Sequence, residues 1–366
     1  MNWKQALEGM NPYKPGRSIE EVTLLYGLKE VVKLASNENP YGCSPSVKEF
    51  ITSDAIQHEI YPDGYASTLR SKVAAKHGVS EDALLFGNGS DEIIMLIARA
   101  LLDKGTNTIM ATTTFPQYAH NAKIEGAEIR QIPLQDGQHD LDSFVRAIDN
   151  ETSVVWICNP NNPTGNLIPS DRLKAFLEQV PETVLVVLDE AYFEYITAAN
   201  HVDSVTWLQS FPNIIILRTF SKAYGLAAFR VGYAIGQPEV ITNLNKVRSP
   251  FNNNSMGLAV AEQALADQAF IDHCRQVNHE QRQRFTQYAA DKNLHIFDSE
   301  TNFMLIEVPG DADQAAEQLL QQGFIIRSGN ALGTPGYVRV TIGTEQQNSD
   351  FFAAFDTLLV VEGSAT

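Results

Sequence analysis

The sequence has little cysteine and no long apolar segment. Cys43, Cys158 and Cys274 are odd in number and far apart in the chain. This spacing matches neither a disulfide framework nor a zinc site, so we expect three reduced thiols and no bound metal. No apolar run is long enough to span a bilayer, and the first residues lack an apolar stretch behind a basic start. We therefore expect a cytoplasmic protein.

Positive charge is also scarce. Lysine and arginine number 27 against 44 acidic residues, which gives a formal net charge of -17. Such a charge repels nucleic acids and anionic membranes, so neither is expected as a partner. The eight histidines show no ligand spacing, and no chemistry is assigned to them. The chain of 366 residues, 44% of them hydrophobic, is typical of a globular protein with two domains.

Apolar runs alternate with helical stretches between residues 84 and 236. This alternation predicts βαβ units around a mostly parallel sheet. Because the runs are apolar throughout, we expect helices to cover both faces of that sheet. The runs are residues 83–86, 108–111, 154–157, 184–188, 214–217 and 231–235. In such sheets ligands bind at the carboxyl ends of the strands, so the residues that follow each run are candidates for a site.

Polar and turn-forming sequences follow four of these runs. They are Gly87-Asn88-Gly89-Ser90-Asp91-Glu92, Thr114-Phe115-Pro116-Gln117-Tyr118, Asn159-Pro160-Asn161-Asn162-Pro163-Thr164-Gly165 and Asp189-Glu190-Ala191-Tyr192. The first suits either a phosphate at a helix start or an ordinary N-cap. Phe115 could stack on a flat ligand or belong to the core. A carboxylate at Asp189 needs a cationic partner or several donors, because burial would otherwise neutralise it.

A lysine follows the run at 214–217, within Thr219-Phe220-Ser221-Lys222. Its ammonium group tolerates the end of a buried strand only if it is paired, solvated or neutralised. An imine with a bound aldehyde is the neutralised form, and the hydroxyls of Thr219 and Ser221 suit a phosphate beside that aldehyde. Lys222 thus indicates pyridoxal phosphate, against the alternative of a surface lysine.

Together these segments resemble the fold type I, class II pyridoxal-phosphate-dependent aminotransferases, and within them the histidinol-phosphate aminotransferases. Further matching segments are Pro12-Tyr13-Lys14-Pro15-Gly16, Ala35-Ser36-Asn37-Glu38-Asn39-Pro40-Tyr41-Gly42, Tyr61-Pro62-Asp63 and Tyr337-Val338-Arg339-Val340. The resemblance implies an α/β fold with a large domain, built on a mostly parallel seven-stranded sheet, and a smaller α+β domain. The expected divisions are an arm with part of the small domain at 1–42, the cofactor domain at 43–250 and the small domain at 251–366.

The resemblance also implies a role for each site residue. Lys222 would be the Schiff-base lysine and proton shuttle, Asp189 would pair with the pyridinium nitrogen, and Asn162 and Tyr192 would bind the phenolate oxygen. Phe115, a tyrosine in many relatives, would stack on the ring. The phosphate would be bound by Gly89, Ser90, Thr219, Ser221 and Arg230, with Tyr61 of the partner subunit completing the site. A homodimer with shared active sites is therefore expected.

The expected substrate contacts lie in three separate parts of the chain. In the run 337–342, aliphatic residues alternate with Tyr337, Arg339 and Thr341, so Arg339 points away from the buried face. By itself it could form a surface ion pair; the resemblance implies that Arg339, with Arg327 as second candidate, binds a carboxylate or phosphate. The resemblance also implies that Asn162 contacts the substrate and that Tyr13 is a lid residue.

The implied reaction is a ping-pong exchange of an amino group between histidinol phosphate and 2-oxoglutarate in histidine biosynthesis. Two other enzyme activities stay open on the same scaffold: an aromatic amino-acid aminotransferase, acting on phenylalanine or tyrosine, and a threonine-phosphate decarboxylase. A non-catalytic regulator would need a DNA-binding module, which the sequence does not contain.

Overall fold

The computed structural model describes residues 1–10, 12, 16–53 and 55–363. Within this part of the chain, no helix is both long and apolar enough to cross a membrane. The helices are α1 Ile19–Tyr26, α2 Pro45–Ile51, α3 Ser67–His77, α4 Ser90–Leu101, α5 Gln117–Glu125, α6 Leu141–Ala147, α7 Ser170–Leu177, α8 Pro238–Asn245, α9 Ser255–Ala266, α10 Gln268–Asp291, α11 Ala312–Gln321 and α12 Glu345–Gly363. The strands are β1 Val32–Lys33, β2 Leu84–Gly87, β3 Asn107–Ala111, β4 Glu128–Ile132, β5 Thr152–Cys158, β6 Leu185–Asp189, β7 Ile214–Thr219, β8 Gly232–Gly236, β9 Phe303–Glu307, β10 Phe324–Ile325, β11 Arg327–Ser328 and β12 Tyr337–Thr341.

The large sheet has seven strands in the order β2-β8-β7-β6-β5-β3-β4. All are parallel except β8, which runs antiparallel to both of its neighbours. Successive residues of β6 enter different cores: Val186 and Leu188 pack in one apolar cluster, Leu185 and Val187 in another. Both faces of the sheet are therefore covered, and the predicted α/β fold with a mostly parallel seven-stranded sheet is confirmed.

The edge strand β4 was not predicted from the apolar runs. Its sequence Glu-Ile-Arg-Gln-Ile is only partly buried, and Arg130 forms ion pairs with Glu128 at 2.8 Å and Asp149 at 2.6 Å. A strand that pairs on one side only needs no continuous apolar run, because much of it stays in contact with water.

A smaller sheet, in the order β11-β12-β9, is antiparallel throughout and packs against α10, α11 and α12. The short stretch 324–328 forms two strands in different sheets. Its first part, β10, pairs in parallel with β1, whereas β11 pairs with β12. The pairing of β1 attaches the segment before residue 42 to the small sheet region.

The domain boundaries at 42/43 and 250/251 stay predictions. Helix α9, which begins beyond the second boundary, has Leu258, Val260 and Ala261 in the apolar cluster of the large sheet.

Candidate active site

A cleft of about 550 Å³ opens at the carboxyl edge of the large sheet. Strands β3, β5, β6 and β7 end there, and β8 begins there because it runs in the opposite direction. The topology thus collects segments that are far apart in the sequence, as expected for a doubly wound sheet. The predicted site residues that line the cleft are Ser90, Phe115, Asn162, Asp189, Tyr192, Thr219, Ser221, Lys222, Arg230, Arg327 and Arg339.

Lys222 follows β7 and is partly buried in this cleft. Its Nζ donates a hydrogen bond to the carbonyl oxygen of Ser36 at 3.0 Å and lies 5.9 Å from the centre of the Tyr192 ring. Burial, together with the charge of Arg339, lowers the pKa of Lys222 to about 8. A fraction of this amine is therefore uncharged at neutral pH, which is the form that attacks an aldehyde.

Asp189 ends β6 and is 3% exposed. The hydroxyl of Tyr118 donates a hydrogen bond to its Oδ2 at 2.6 Å. Its Oδ1 is buried and has no hydrogen-bond partner among the described residues. Burial raises the pKa of Asp189 to about 6, although the hydrogen bond from Tyr118 acts in the opposite direction. The carboxylate is therefore built to receive a further donor or a cation at Oδ1.

Tyr192 follows β6 and receives two hydrogen bonds at its hydroxyl oxygen. Asn37 donates through Nδ2 at 2.9 Å and Asn162 through Nδ2 at 3.4 Å. The Oδ1 of Asn162 in turn accepts a hydrogen bond from Nη1 of Arg339 at 2.6 Å. Since both amides donate to the Tyr192 oxygen, the phenol's own proton is available to a group in the cleft.

A group of polar side chains surrounds the start of α4. Arg230 donates a hydrogen bond to Oγ of Ser221 at 3.3 Å, and the backbone N–H of Ser221 donates to Oγ1 of Thr219 at 3.0 Å. Gly89, the N-cap of α4, has φ +79°, and a Cβ there would lie 2.5 Å from Nη2 of Arg230. Free N–H groups at the start of a helix and an arginine beside them bind a phosphate.

Arg327 and Arg339 lie opposite each other in the antiparallel pair of β11 and β12, so their side chains share one face. Arg339 is 7% exposed, and its Nη2 donates a hydrogen bond to the carbonyl oxygen of Ala35 at 2.8 Å. Both side chains line the cleft. Two guanidinium groups side by side are suited to a carboxylate or a phosphate.

Residues 29–355 match the family model for aminotransferase class I and II. The chain belongs to this family. A histidinol-phosphate aminotransferase from Lysinibacillus sphaericus (strain C3-41) is 55% identical over 363 residues, which are 99% of each chain. The histidinol-phosphate aminotransferase of Bacillus subtilis (strain 168) is 51% identical over 360 residues, 98% of this chain and 100% of the other. A solved structure, histidinol-phosphate aminotransferase from Sinorhizobium meliloti in complex with pyridoxal-5'-phosphate, matches with a TM-score of 0.89 and 28% identity over 98% of each chain.

Other predicted residues of this aminotransferase lie apart from the cleft or outside the described residues. Tyr61 is 78% exposed, and its ring stacks on that of Phe251 with 4.8 Å between the centres. Its expected contact is with a second subunit, so this prediction stays open. Tyr13, the predicted lid residue, lies outside the described residues. Phe115, in contrast, does line the cleft, with its ring edge-on to that of Tyr118 at 5.7 Å between the centres.

Sequence reasoning missed several groups at this aminotransferase site. Asn37 and Tyr118 each stood in a segment of interest, but asparagine suits a turn and a buried tyrosine suits a core, so neither was assigned a role. Arg339 donates to the carbonyl oxygen of Ala35, and Lys222 donates to that of Ser36. Backbone contacts of this kind cannot be predicted from the residue types.

From the sequence, Glu38 and Asn39 could either lock their loop or contact the substrate. Glu38 forms an ion pair with Lys33 at 2.7 Å. Asn39 donates a hydrogen bond to the carbonyl oxygen of Ala223 at 2.8 Å, which ties its loop to the segment that follows Lys222.

Proposed function

We propose that this aminotransferase interconverts L-histidinol phosphate with 2-oxoglutarate and imidazole acetol phosphate with L-glutamate, using pyridoxal 5'-phosphate in a ping-pong reaction of histidine biosynthesis. The observation that carries this proposal is the 55% identity, over 99% of both chains, to an enzyme named for that substrate. The cleft supports it independently, because its side chains match both the cofactor and an anionic substrate.

The residues of the cleft fit pyridoxal phosphate. The unpartnered buried Oδ1 of Asp189 suits the protonated ring nitrogen, whose charge would keep this carboxylate ionised although burial raises its pKa. Ser90, Thr219, Ser221 and Arg230, with Gly89 at the start of α4, suit the phosphate, and Phe115 suits one face of the ring. When bound, the cofactor supplies an electron sink that allows the C–H bond beside the substrate's amino group to break.

The proton transfers are the task of Lys222. Its Nζ would take the proton from the substrate carbon and return it on the cofactor side, so it must lose its own proton near neutral pH. The lowering of its pKa to about 8, by burial and the charge of Arg339, supports this role. The hydroxyl of Tyr192 and the amide of Asn162 would donate hydrogen bonds to the ring oxygen.

The two arginines would bind the substrates. Glutamate and histidinol phosphate both carry an anionic group away from the reacting amine, so one site can serve both in turn. Arg339 is oriented by Asn162 and the carbonyl of Ala35, and Arg327 stands beside it. We infer that these guanidinium groups grip the carboxylate or the phosphate, that Asn162 is a further contact, and that Tyr13 helps to close the site.

We also propose a homodimer and a cytoplasmic location. Ile60, Tyr61 and Tyr65 are each more than half exposed and Phe251 is 48% exposed, which is unusual for apolar side chains of this size. A second subunit that covers them would bring Tyr61 to the partner's cofactor phosphate. Cys43, Cys158 and Cys274 are free thiols, as expected in a reducing compartment.

The test is the absorption spectrum of the purified protein in the presence of pyridoxal phosphate. Histidinol phosphate should abolish the visible band of the bound cofactor, and 2-oxoglutarate should restore it with formation of glutamate. If only phenylalanine or tyrosine abolishes the band, the enzyme is an aromatic aminotransferase. Release of carbon dioxide from threonine phosphate without any need for 2-oxoglutarate would instead indicate a decarboxylase.

A further inference from the structure

Asn37 links the small sheet to the active site. It is 2% exposed and adopts φ +56°, a left-handed conformation that asparagine tolerates better than most residues. Its backbone N–H donates to Oγ1 of Thr341 at 2.9 Å, and its carbonyl oxygen accepts from Nδ2 of Asn302 at 3.0 Å. Its side-chain amide reaches Thr341 through Oδ1 at 3.1 Å and Tyr192 through Nδ2 at 2.9 Å.

The orientation of the Asn37 amide sets the direction of each hydrogen bond. The hydroxyl oxygen of Thr341 accepts from the backbone N–H of Asn37, and the threonine hydroxyl donates its proton to the amide oxygen of Asn37. The amide nitrogen of Asn37 faces Tyr192, where it can only donate. The hydroxyl of Tyr192 therefore cannot donate a hydrogen bond to Asn37.

The second amide at Tyr192 is oriented in the same way. The guanidinium of Arg339 can only donate, so it holds the oxygen of Asn162 and turns the nitrogen towards Tyr192. Arg339 and Thr341 are two residues apart on β12 and lie on the same face of that strand. One strand of the small sheet thus orients both amides that donate to the Tyr192 hydroxyl.

We propose that Thr341 and Asn37 are positioning residues that direct the proton of Tyr192 to the ring oxygen of the bound cofactor. Because that oxygen belongs to the proposed cofactor, this inference rests on the proposed function. A hydrogen bond to the ring oxygen stabilises its negative charge and so lowers the pKa at which the bound cofactor's imine nitrogen loses its proton. Without Thr341, the amide of Asn37 is free to turn and accept the proton of Tyr192 instead.

The experiment is a pH titration of the visible band of the resting holoenzyme, without substrate. Thr341→Val removes the hydroxyl at nearly constant volume, and Asn37→Gly removes the amide while permitting φ +56°. Both should raise the pKa of the band by about 0.5 to 1 unit, the size expected for one hydrogen bond. Thr341→Ser retains the hydroxyl and should titrate like the wild type.

A matched control separates positioning from general loss of stability. Thr301 is fully buried near the same sheet, and its hydroxyl donates to the carbonyl oxygen of Phe303 rather than to the site. Thr301→Val should lower the melting temperature of the cofactor-free protein, as Thr341→Val should, without moving the pKa of the band. In a Tyr192→Phe background, Thr341→Val should cause no further shift.

Each contrary result has a distinct meaning. If Tyr192→Phe moves the pKa of the band but Thr341→Val and Asn37→Gly do not, the inference is wrong and the proposed function stands. An equal shift from Thr341→Val with and without Tyr192 would also overturn it, because the effect would not pass through the phenol. A wild-type protein without any visible band would overturn the proposed function itself.

Discussion

Two consecutive carboxylates at the edge of the large sheet have opposite surroundings. Asp189 lines the cleft, with a neutral donor at Oδ2 and no partner for Oδ1 in the described part of the chain. Glu190 is 1% exposed, and its Oε2 accepts two hydrogen bonds from Arg218, at 3.1 Å and 2.8 Å. Its Oε1, like Oδ1 of Asp189, has no hydrogen-bond partner among the described residues, so the two acids differ in the buried cation that only Glu190 contacts there. Arg218 also pairs with Asp203 at 2.7 Å and lies 3.4 Å from the centre of the Phe193 ring.

We infer that Asp189 serves the chemistry of the site, whereas Glu190 stabilises the fold. A buried charge with its counter-ion inside the protein holds strand ends together, whereas a buried charge left without one is ready for a ligand but costs stability until the ligand binds. Arg218 and Glu190 join the ends of β7 and β6, from which Lys222 and Asp189 extend. We expect substitutions at the two acids to have opposite effects on activity and stability.

The largest expected effect is the loss of activity in Asp189→Asn. An amide cannot keep the ring nitrogen of the proposed cofactor protonated, so turnover should fall by about 10³-fold, the cost typical of losing one preorganised electrostatic contact. Steady-state kinetics with saturating cofactor measure this. Glu190→Gln is the matched control and should retain nearly wild-type turnover per folded molecule. Equal losses in both variants would abolish the distinction between the two acids.

Glu190→Gln should instead destabilise the fold. Among the described residues, it leaves the buried Arg218 in an ion pair with the partly exposed Asp203 alone, and breaking a buried pair costs about 3 to 5 kcal/mol in the free energy of unfolding. Urea unfolding of the cofactor-free protein measures this loss of stability. Adding Arg218→Met should recover part of the loss, because no unpaired charge then remains. A loss below about 1 kcal/mol would mean that the pair behaves like one on the surface.

Asp189→Asn should stabilise the cofactor-free protein at pH 7.5 by about 2 to 3 kcal/mol. Burial raises the pKa of Asp189 in the folded state to about 6, above its unfolded value of about 3.9. The folded state therefore binds more protons between these values, so wild-type stability falls as the pH rises through this window and stays lower above it. The advantage of the variant should vanish near pH 4. Urea unfolding of both proteins at several pH values tests this. A difference in their free energies of unfolding that does not change with pH would contradict the expectation.

A smaller effect is expected from Tyr118→Phe. The ring of Tyr118 stacks on Trp156 with 4.8 Å between the centres, and phenylalanine preserves that contact while it removes the donor to Asp189. The pKa of Asp189 should rise further, because a hydrogen bond to the charged form is lost. We expect turnover to fall about tenfold, with weaker cofactor binding at low pH. Unchanged cofactor affinity across the pH range would show that Tyr118 only fills space.

The smallest effect is expected at an exposed ion pair. Arg275 and Asp272 are 2.6 Å apart on α10, with side chains 43% and 62% exposed. Asp272→Asn should change the free energy of unfolding by less than about 0.5 kcal/mol. A loss comparable with that of Glu190→Gln would show that burial does not determine the strength of these pairs.

Much of the large sheet could be predicted from the sequence. Strands such as β6 and β7 are buried on both faces, so their sequences are continuous apolar runs, and the site residues follow where those runs end. The edge strand β4 could not be found in this way, because Arg130 and its acidic neighbours stay in water. The division of 324–327 between two sheets could not be predicted either, since the choice of pairing partner depends on tertiary contacts.

Some residues of the site could be predicted from the sequence, and others could not. Lys222, Asp189 and Arg339 are costly to bury, so the sequence marks them as functional. Asn37 and Tyr118 carry no charge, and their residue types have ordinary explanations in turns and cores. Only the structure shows that Asn37 donates a hydrogen bond to Tyr192 and that Tyr118 donates one to Asp189.

The most direct test of the central claim, that the cleft binds pyridoxal phosphate through Lys222, is reduction of the holoenzyme with borohydride followed by peptide mass spectrometry. Reduction converts an imine between lysine and cofactor into a stable amine. We predict the added mass on Lys222, and its loss in Lys222→Ala. The same mass on another lysine, or on none in protein that shows a visible band, would contradict the account.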